Sequence, residues 1–257
     1  MLYQIKQYIK FLKKSSNQHG VHSPFVYDLV TQCFYDKTKY PHYKKLDDFR
    51  KRLKQENLEL KITDFGAGST VLKPSNRKVS DMATHVSISK NNARLLYRVA
   101  KYIKPNSVLE LGTSLGLATQ ALALGHPNSK ITTIEGCPQI SAYTKGNFQL
   151  EQLDTINLLT GNFSEVIPRL DKTKWDLVFF DGNHQKDATL QYFEILLPKS
   201  HNDSVFIFDD IYWSKEMTEA WKTIKKHPNV TVTIDTFYWG IVFFRKEQAK
   251  EHFTIRV

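Results

Sequence analysis

The chain has 257 residues, 41% of them hydrophobic and 24% charged, which excludes a disordered or collagen-like chain. No stretch approaches the roughly 20 apolar residues of a membrane helix, the N-terminus lacks the apolar core of a signal peptide, and two cysteines are too few for a disulfide framework. The net charge of +10 is uneven, with 21 basic and 8 acidic residues in 1–107 against 15 and 18 in 108–257. We therefore expect a reduced cytoplasmic protein with a basic N-terminal part.

The N-terminal part is predicted to be mainly helical. Leu2, Ile5, Ile9 and Leu12 recur at helical spacing, and lysines occupy the other face of that helix. This pattern predicts a cap or substrate region over residues 1–96, followed by a second domain over 97–257. Its further predicted elements are helices at Pro24–Cys33, Leu46–Glu56 and Asn91–Ile103 and a short strand at Lys61–Asp64.

From Ser107 onward, short apolar runs alternate with helical stretches. Helix starts are marked by Pro138, by Asn162 three residues before Glu165, and by Ser214. Nearly all-apolar runs indicate strands that are buried on both faces. The predicted strands are Ser107–Leu111, Lys130–Glu135, Thr155–Leu159, Trp175–Asp181 and Ser204–Asp209.

The last two predicted strands, Val230–Asp235 and Gly240–Arg245, are separated by only four residues. A parallel crossover needs a dozen or more residues, so these strands must form an antiparallel hairpin. The predicted fold is an α/β, doubly wound, mostly parallel seven-stranded sheet with an antiparallel C-terminal hairpin strand and a helical N-terminal cap.

The segment from Val108 to Gly116 reads as a strand, a glycine turn and a helix start, a place where backbone can approach a ligand. Ser114 stands where a dinucleotide-binding turn has glycine. Glu110 suits an ammonium group, and Glu135, at the end of the next strand, suits ribose hydroxyls. A ligand with a ribose and an amine but no phosphate fits both, and S-adenosylmethionine is such a ligand.

On these motifs the chain from Tyr97 to Arg245 resembles the class I S-adenosylmethionine-dependent methyltransferases. The resemblance implies that Glu110, Gly112 and Ser114 line the methionine part, that Glu135 binds the ribose, and that Asn162 and Phe163 lie by the adenine. The cofactor-binding residues expected from it are Glu110, Gly112, Thr113, Ser114, Gly116, Glu135, Gly136, Asn162, Phe163 and Asp181.

Three carboxylates follow the fourth and fifth predicted strands, namely Asp181, Asp209 and Asp210. Carboxylates on adjacent strand ends suit Mg²⁺ or another divalent cation. The arrangement is similar to that of the metal-dependent small-molecule O-methyltransferases of the catechol and macrolide-sugar types. Asp181 and Asp210 are the favoured ligands, since adjacent strand residues face opposite ways. Without metal, these aspartates would position a helix or a cofactor hydroxyl.

One position departs from the sugar-type pattern, which usually carries a second acid two residues after the first metal aspartate. Here that residue is Asn183, which cannot act as a base. His184 is adjacent and titrates near neutrality, so His184 is the predicted general base, with Asp181 as the alternative.

The sequence therefore predicts methyl transfer to a hydroxyl of a small molecule. It predicts no membrane partner and is compatible with a homodimer. The alternatives are a nucleic-acid or protein methyltransferase that uses the basic N-terminal region, and a catalytically silent cofactor-binding protein. A second glycine-rich segment, Asp64–Ser69, imitates a cofactor turn, but Pro74 interrupts the expected helix, and we expect a loop there.

Overall fold

The computed structural model describes residues 2–63, 76–170 and 174–257. The Asp64–Ser69 segment lies outside the described residues. The chain divides into two compact units, which we call the continuous unit, Asp36–Val166, and the discontinuous unit, Met1–Tyr35 with Ile167–Val257. The cap and methyltransferase domains expected on either side of residue 97 are a different division of the chain, and that boundary stays a prediction.

The discontinuous unit begins with two helices, α1 (Leu2–Lys14) and α2 (Pro24–Leu29), the second continued by a π-helical turn over Val30–Phe34. The hydroxyl of Ser23 accepts a hydrogen bond from the Val26 N–H and so caps α2, with Pro24 in the first turn. The predicted helix over Pro24–Cys33 is thus present.

The face by which α1 packs differs from the expected one. Its apolar row is exposed, Leu2 to 77% and Ile9 to 49%. Phe11 is buried instead, and the Tyr3 hydroxyl donates to Thr218 Oγ1 at 2.7 Å. The amphipathic pattern predicted the helix correctly. Its packed face is the row of Tyr3, Gln7 and Phe11, which lie four residues apart and therefore share one side of the helix.

The continuous unit starts with helices that surround a small hairpin, β1 (Glu59–Lys61) and β2 (Asn76–Lys78), paired antiparallel. The short strand predicted at Lys61–Asp64 therefore begins two residues earlier in the chain, at Glu59. The helix that follows β2, Val79–His85, was not predicted. Leu53 and Met82 from this region join Leu117 and Ile140 in one buried cluster. The helices are α3 (His42–Gln55), α4 (Val79–His85) and α5 (Lys90–Ile103).

Three parallel strands follow in this unit, in the order β3–β4–β5. The pairing of Leu111 with Ile134 and of Glu135 with Thr160 brings their carboxyl ends to one edge. Their register therefore positions the loops that the sequence assigned to the cofactor. The elements are β3 (Ser107–Leu111), α6 (Leu117–Gly125), β4 (Lys130–Glu135), α7 (Pro138–Leu150), β5 (Ile156–Thr160) and α8 (Phe163–Val166).

The discontinuous unit contains five strands in the order β6–β7–β9–β8–β10. Strands β6 and β7 are parallel, and β9 runs antiparallel to both β7 and β8, which confirms the predicted hairpin. The elements are β6 (Leu177–Phe180), α9 (Lys186–Leu196), β7 (Val205–Phe208), α10 (Lys215–Lys226), β8 (Val232–Asp235), β9 (Gly240–Phe243) and β10 (Glu251–Thr254).

These eight strands confirm the predicted mostly parallel α/β fold and add one strand to the expected seven. Strand β10 pairs parallel with β8 and buries only Phe253, so its sequence carries little strand signal. Within the described parts of the chain, no helix is both long enough and apolar enough to cross a membrane.

Gly240 of β9 packs against an indole, and this contact gives a stability prediction. A Cβ at Gly240 would lie 2.7 Å from the ring of Trp221, which is fully buried. We expect Gly240→Ala to lower the free energy of unfolding by about 1–3 kcal/mol, because the indole must move within a packed core. Urea denaturation followed by fluorescence measures this.

Gly146 is the matched control, since a Cβ there meets no atom within 4 Å and the residue lies inside α7. Gly146→Ala should be neutral or stabilising by up to about 1 kcal/mol. Equal stability changes for the two variants would contradict the close contact.

Candidate active site

The turn between β3 and α6 has an unusual backbone. Gly112, Ser114 and Gly116 all have positive φ, at 110°, 47° and 81°. A Cβ at Gly116 would lie 2.5 Å from the Phe148 ring and 2.9 Å from Thr144, both on α7. The Thr144 hydroxyl also donates to the Ser114 carbonyl at 2.7 Å. Close packing against α7 therefore determines the shape of this turn, and only glycine fits at position 116.

Glu135, the last residue of β4, holds two of the loops together. One carboxylate oxygen accepts the Ser114 N–H and the other accepts the Cys137 N–H, each at 2.8 Å. The Glu135 carbonyl also accepts the Gly161 N–H at 2.9 Å. The loops after β3, β4 and β5 are thus linked through a single residue.

Glu110 lies on β3 with its side chain completely buried. One of its oxygens accepts hydrogen bonds at 2.5 Å from both Thr119 and Thr133, while the other is buried without a hydrogen-bond partner among the described residues. Burial raises the pKa of Glu110 to about 7, and the two threonine hydroxyls only partly oppose this. The structure thus encloses Glu110, and its expected place beside the methionine part of the cofactor stays a prediction.

The remaining residues expected near the cofactor lie around Glu135. Thr113 is buried and hydrogen-bonds Thr133 at 2.6 Å, and Gly136 follows Glu135 in the β4–α7 loop. Asn162 and Phe163 are half-buried where α8 begins. The Asn162 side chain accepts from the Ser164 N–H at 3.1 Å, so it satisfies a donor of the first helical turn.

A second group of polar residues follows β6 and β7 in the discontinuous unit. Phe180 and Phe208 are paired, and the Asp209 N–H donates to the Phe180 carbonyl at 2.9 Å. One ligand-type atom from each of Asp181, His184 and Asp209 falls within 4.8 Å of the other two. The aspartate that accompanies Asp181 is therefore Asp209, whereas the sequence favoured Asp210.

Charge is concentrated in this cluster. Burial raises the pKa of Asp209 to about 7, the neighbouring Asp210 raises it further, and a hydrogen bond with Asp181 opposes the rise. Burial lowers the pKa of His184, and the Asp210 charge opposes that change. Burial likewise raises the pKa of Asp210, opposed by His184. The cluster thus has more negative charge than its own donors stabilise.

Asn183, which replaces the expected second acid, is held in a left-handed conformation with φ 52°. Its amide donates to the Tyr192 hydroxyl at 3.1 Å, and its own oxygen is buried without a hydrogen-bond partner in the described part of the chain. Asn183 thus links this loop to α9 through Tyr192 and offers no basic group.

Asp210 also lines a cavity of about 380 Å³ whose walls are mainly aromatic. Tyr212 stacks on Phe237 with ring centroids 5.3 Å apart, and Tyr8 of α1 meets the same ring edge-on at 4.8 Å. Trp239 of the hairpin is fully buried, whereas Phe237 and Tyr238 line the cavity. Phe237 has a positive φ of 75° in this loop.

Residues 109–211 match the family model of a methyltransferase domain. This part of the chain is therefore similar to methyltransferase domains. Catechol O-methyltransferases of Niastella koreensis and Mycobacterium tuberculosis are each 26% identical to it, over 131 and 128 residues. These matches cover 49% of this chain and 58% and 57% of the relatives, so the chain spans less than two thirds of their length.

A solved structure of a methyltransferase from Podospora anserina, bound to SAH, shares the fold of this methyltransferase domain. Its TM-score is 0.64 at 14% identity, over 88% of this chain and 97% of that one. At this identity the likeness concerns the fold. It extends beyond the matched residues 109–211 to most of the chain.

The buried Glu110 gives a pH prediction. The pKa of Glu110 is raised to about 7 in the folded protein, against 4.5 for an exposed glutamate in the unfolded chain. Between these values the folded state holds a proton that the unfolded state releases, so stability falls as pH rises from about 4.5 to 7. Glu110→Gln removes this dependence. Relative to wild type, the variant should gain up to about 3 kcal/mol across that range and nothing further above it.

Thermal or urea unfolding at several pH values measures the stability difference between Glu110→Gln and wild type. The slope of this difference against pH is the test, because any cost of the buried amide is the same at every pH. Glu165→Gln, which changes an exposed side chain, is the matched control and should show little slope. A Glu110→Gln difference that is constant from pH 4.5 to 7 would contradict a buried protonated carboxyl.

Proposed function

We propose that this protein transfers the methyl group of S-adenosylmethionine to a hydroxyl oxygen of a small molecule, assisted by a divalent cation. The S–CH₃ bond breaks and an O–CH₃ bond forms, the hydroxyl proton passes to a base, and S-adenosylhomocysteine leaves. The observation that carries the proposal is the cluster of Asp181, His184 and Asp209 in a methyltransferase domain. The named activity of the two catechol O-methyltransferases supports it.

The continuous unit would bind the cofactor. The positive-φ turn at Gly112, Ser114 and Gly116 brings backbone close to a ligand at the start of α6, as binding of the methionine part needs. Glu135, whose carboxylate is fixed by two backbone N–H groups at the end of β4, would accept the ribose hydroxyls. Gly136, Asn162 and Phe163 would lie on the adenine side, and Glu110 would hold the turn from beneath through Thr119 and Thr133.

The cluster after β6 and β7 fits a cation. Two carboxyl groups, Asp181 and Asp209, are hydrogen-bonded to each other, and burial raises the pKa of Asp209 to about 7. A divalent cation would supply the positive charge that this pair lacks, and carboxylate oxygens are the ligands Mg²⁺ prefers. When bound, the cation would act as a Lewis acid that eases deprotonation of the substrate hydroxyl. Asp210 remains a proposed further ligand.

His184 is the proposed general base, and Asp181 takes this role in a mechanism without metal. Asn183 cannot accept a proton, which leaves the imidazole as the nearest candidate in the loop. If His184 proves to be a cation ligand, the same nitrogen cannot serve both roles, and the cation itself then carries the activation of the hydroxyl. Metal binding and the pH profile of His184→Gln distinguish these two cases.

The aromatic cavity at Asp210 is the proposed acceptor pocket. Its volume of about 380 Å³ falls in the range of small-molecule sites. Tyr8, Tyr212 and Phe237 offer ring faces and edges to a planar acceptor. These walls favour a small molecule over nucleic acid or protein as substrate. A cytoplasmic location is also proposed, and the buried free cysteines are consistent with it.

Cofactor binding is tested at Glu135. We expect Glu135→Gln to weaken binding of S-adenosylhomocysteine by about 1–3 kcal/mol, because an amide cannot accept with both terminal atoms. Isothermal titration calorimetry measures the affinity, and circular dichroism shows whether the variant is folded. Asp154→Asn, an exposed carboxylate beyond α7, should bind as wild type does. Unchanged affinity in Glu135→Gln would remove this residue from the cofactor site.

Cation dependence is tested at Asp209. We expect wild type to bind Mn²⁺, used as a spectroscopic probe for Mg²⁺, and Asp209→Asn to bind it at least about tenfold more weakly, since one carboxylate ligand is lost. Electron paramagnetic resonance counts free Mn²⁺ without requiring activity. EDTA should abolish methylation of a catechol and Mg²⁺ should restore it.

Asp203→Asn serves as the control for this experiment, because Asp203 is 65% exposed at its side chain and pairs with Arg245. Its Mn²⁺ affinity should equal that of wild type. Full activity in EDTA, together with equal Mn²⁺ binding by wild type and Asp209→Asn, would leave the metal-free mechanism.

A further inference from the structure

A second cavity of the discontinuous unit lies between α1 and α10 and has a volume of about 490 Å³. It is separate from the carboxylate cluster, and Tyr212 is the residue it shares with the aromatic cavity. Lysines from both helices line it. They are Lys10 and Lys14 of α1 and Lys215, Lys222 and Lys225 of α10.

The acidic residues of the cavity do not balance these lysines. Glu219 pairs with Lys222 at 2.8 Å. Asp235 accepts the Tyr212 hydroxyl at 2.5 Å and the Phe237 N–H at 2.9 Å, so local donors already stabilise it. No ion pair forms at the other four lysines among the described residues. Five cations against two carboxyl groups leave an excess of positive charge.

The excess of positive charge lowers the stability of the folded protein most where a lysine is withdrawn from water. Lys225 is half-buried and its ammonium lies 5.6 Å from the centre of the Trp221 ring. Burial lowers the pKa of Lys225, Asp235 opposes this, and the like charges of Lys14 and Lys222 lower it further. Facing lysines on two packed helices repel each other unless an anion lies between them.

The orientation of α1 is a second observation that points to an anion in this cavity. The helix has an apolar row that includes Leu2, Ile5 and Ile9, yet this row is exposed. The side that carries Lys10 and Lys14 lines the cavity instead. Burial of apolar surface alone would favour the opposite orientation. A ligand that attracts the lysines would stabilise the orientation that is observed.

We propose that the cavity between α1 and α10 binds a small anion that carries two or more phosphate groups. Lysine ammonium groups bind phosphate as compact point charges with several donors. Lysines on two helices suit an anion whose charges are spread over more than one group. The cavity volume is that of a small-molecule site. This site is independent of methyl transfer, and it uses none of the residues assigned to cofactor or cation.

The test is calorimetric titration of the full chain with inorganic pyrophosphate and, separately, with orthophosphate, at about 0.15 M salt, where surface charges are screened. We expect pyrophosphate to bind in the micromolar range and at least about tenfold more tightly than orthophosphate, because two phosphate groups can engage both helices. Failure of pyrophosphate to bind below millimolar concentration would overturn the proposal, and so would equal affinity for the two anions.

Paired variants separate the cavity from general basicity. Lys10→Met with Lys225→Met removes two cavity lysines and keeps most of each side chain. Lys13→Met with Lys226→Met removes the same charge from neighbouring positions of the same helices that do not line the cavity. We expect pyrophosphate affinity to fall at least about tenfold in the first pair and less than about twofold in the second.

Thermal unfolding gives a second readout that does not rely on calorimetric titration. Without anion, the cavity pair should melt at or above the wild-type temperature, because repulsion between lysines is relieved. Added pyrophosphate should raise the melting temperature of wild type and of the control pair, but not that of the cavity pair. Equal loss of binding in both pairs would show attraction to surface charge alone and would refute the site.

Discussion

The hydrogen bonds of Glu135 are the interaction on which the arrangement of the loops after β3, β4 and β5 depends. Its two oxygens accept N–H groups from the loops after β3 and β4, and its carbonyl accepts one from the loop after β5. One side chain can reach this far because parallel strands end at the same edge. A carboxylate that accepts several backbone donors is also well placed to stabilise the N-terminal ends of the helices that follow.

The shape of the β3–α6 turn also depends on α7. Its Phe148 and Thr144 lie so close to Gly116 that no side chain fits there, and Thr144 donates to the Ser114 carbonyl. The left-handed Ser114 and the αL glycines therefore owe their geometry to a helix that follows the next strand. Beneath the turn, Thr119 and Thr133 hold the buried Glu110. The turn is thus held in shape from both sides before any ligand arrives.

Unbalanced charge recurs at two places in the discontinuous unit. Asp181, Asp209 and Asp210 gather after β6 and β7, and lysines of α1 and α10 gather around the larger cavity. Like charges held close together lower the stability of the free protein, and a bound ligand of opposite charge would offset this cost. The two have different chemistry: oxygen ligands on strand ends suit a small hard cation, whereas ammonium groups on two helices suit a larger anion.

Hydrophobic pattern and turn chemistry determined the strands β3 to β9, the hairpin and the cap at Ser214, because these depend on neighbours a few residues apart. The glycine turn, Glu135 and the aspartates were also evident in the sequence. Only tertiary structure decided that Asp209 rather than Asp210 accompanies Asp181, that Glu110 is enclosed, and that Lys10 and Lys14 of α1 line a cavity. Those outcomes follow from strand register and helix packing, which join residues far apart in the chain, and local sequence carries no record of such contacts.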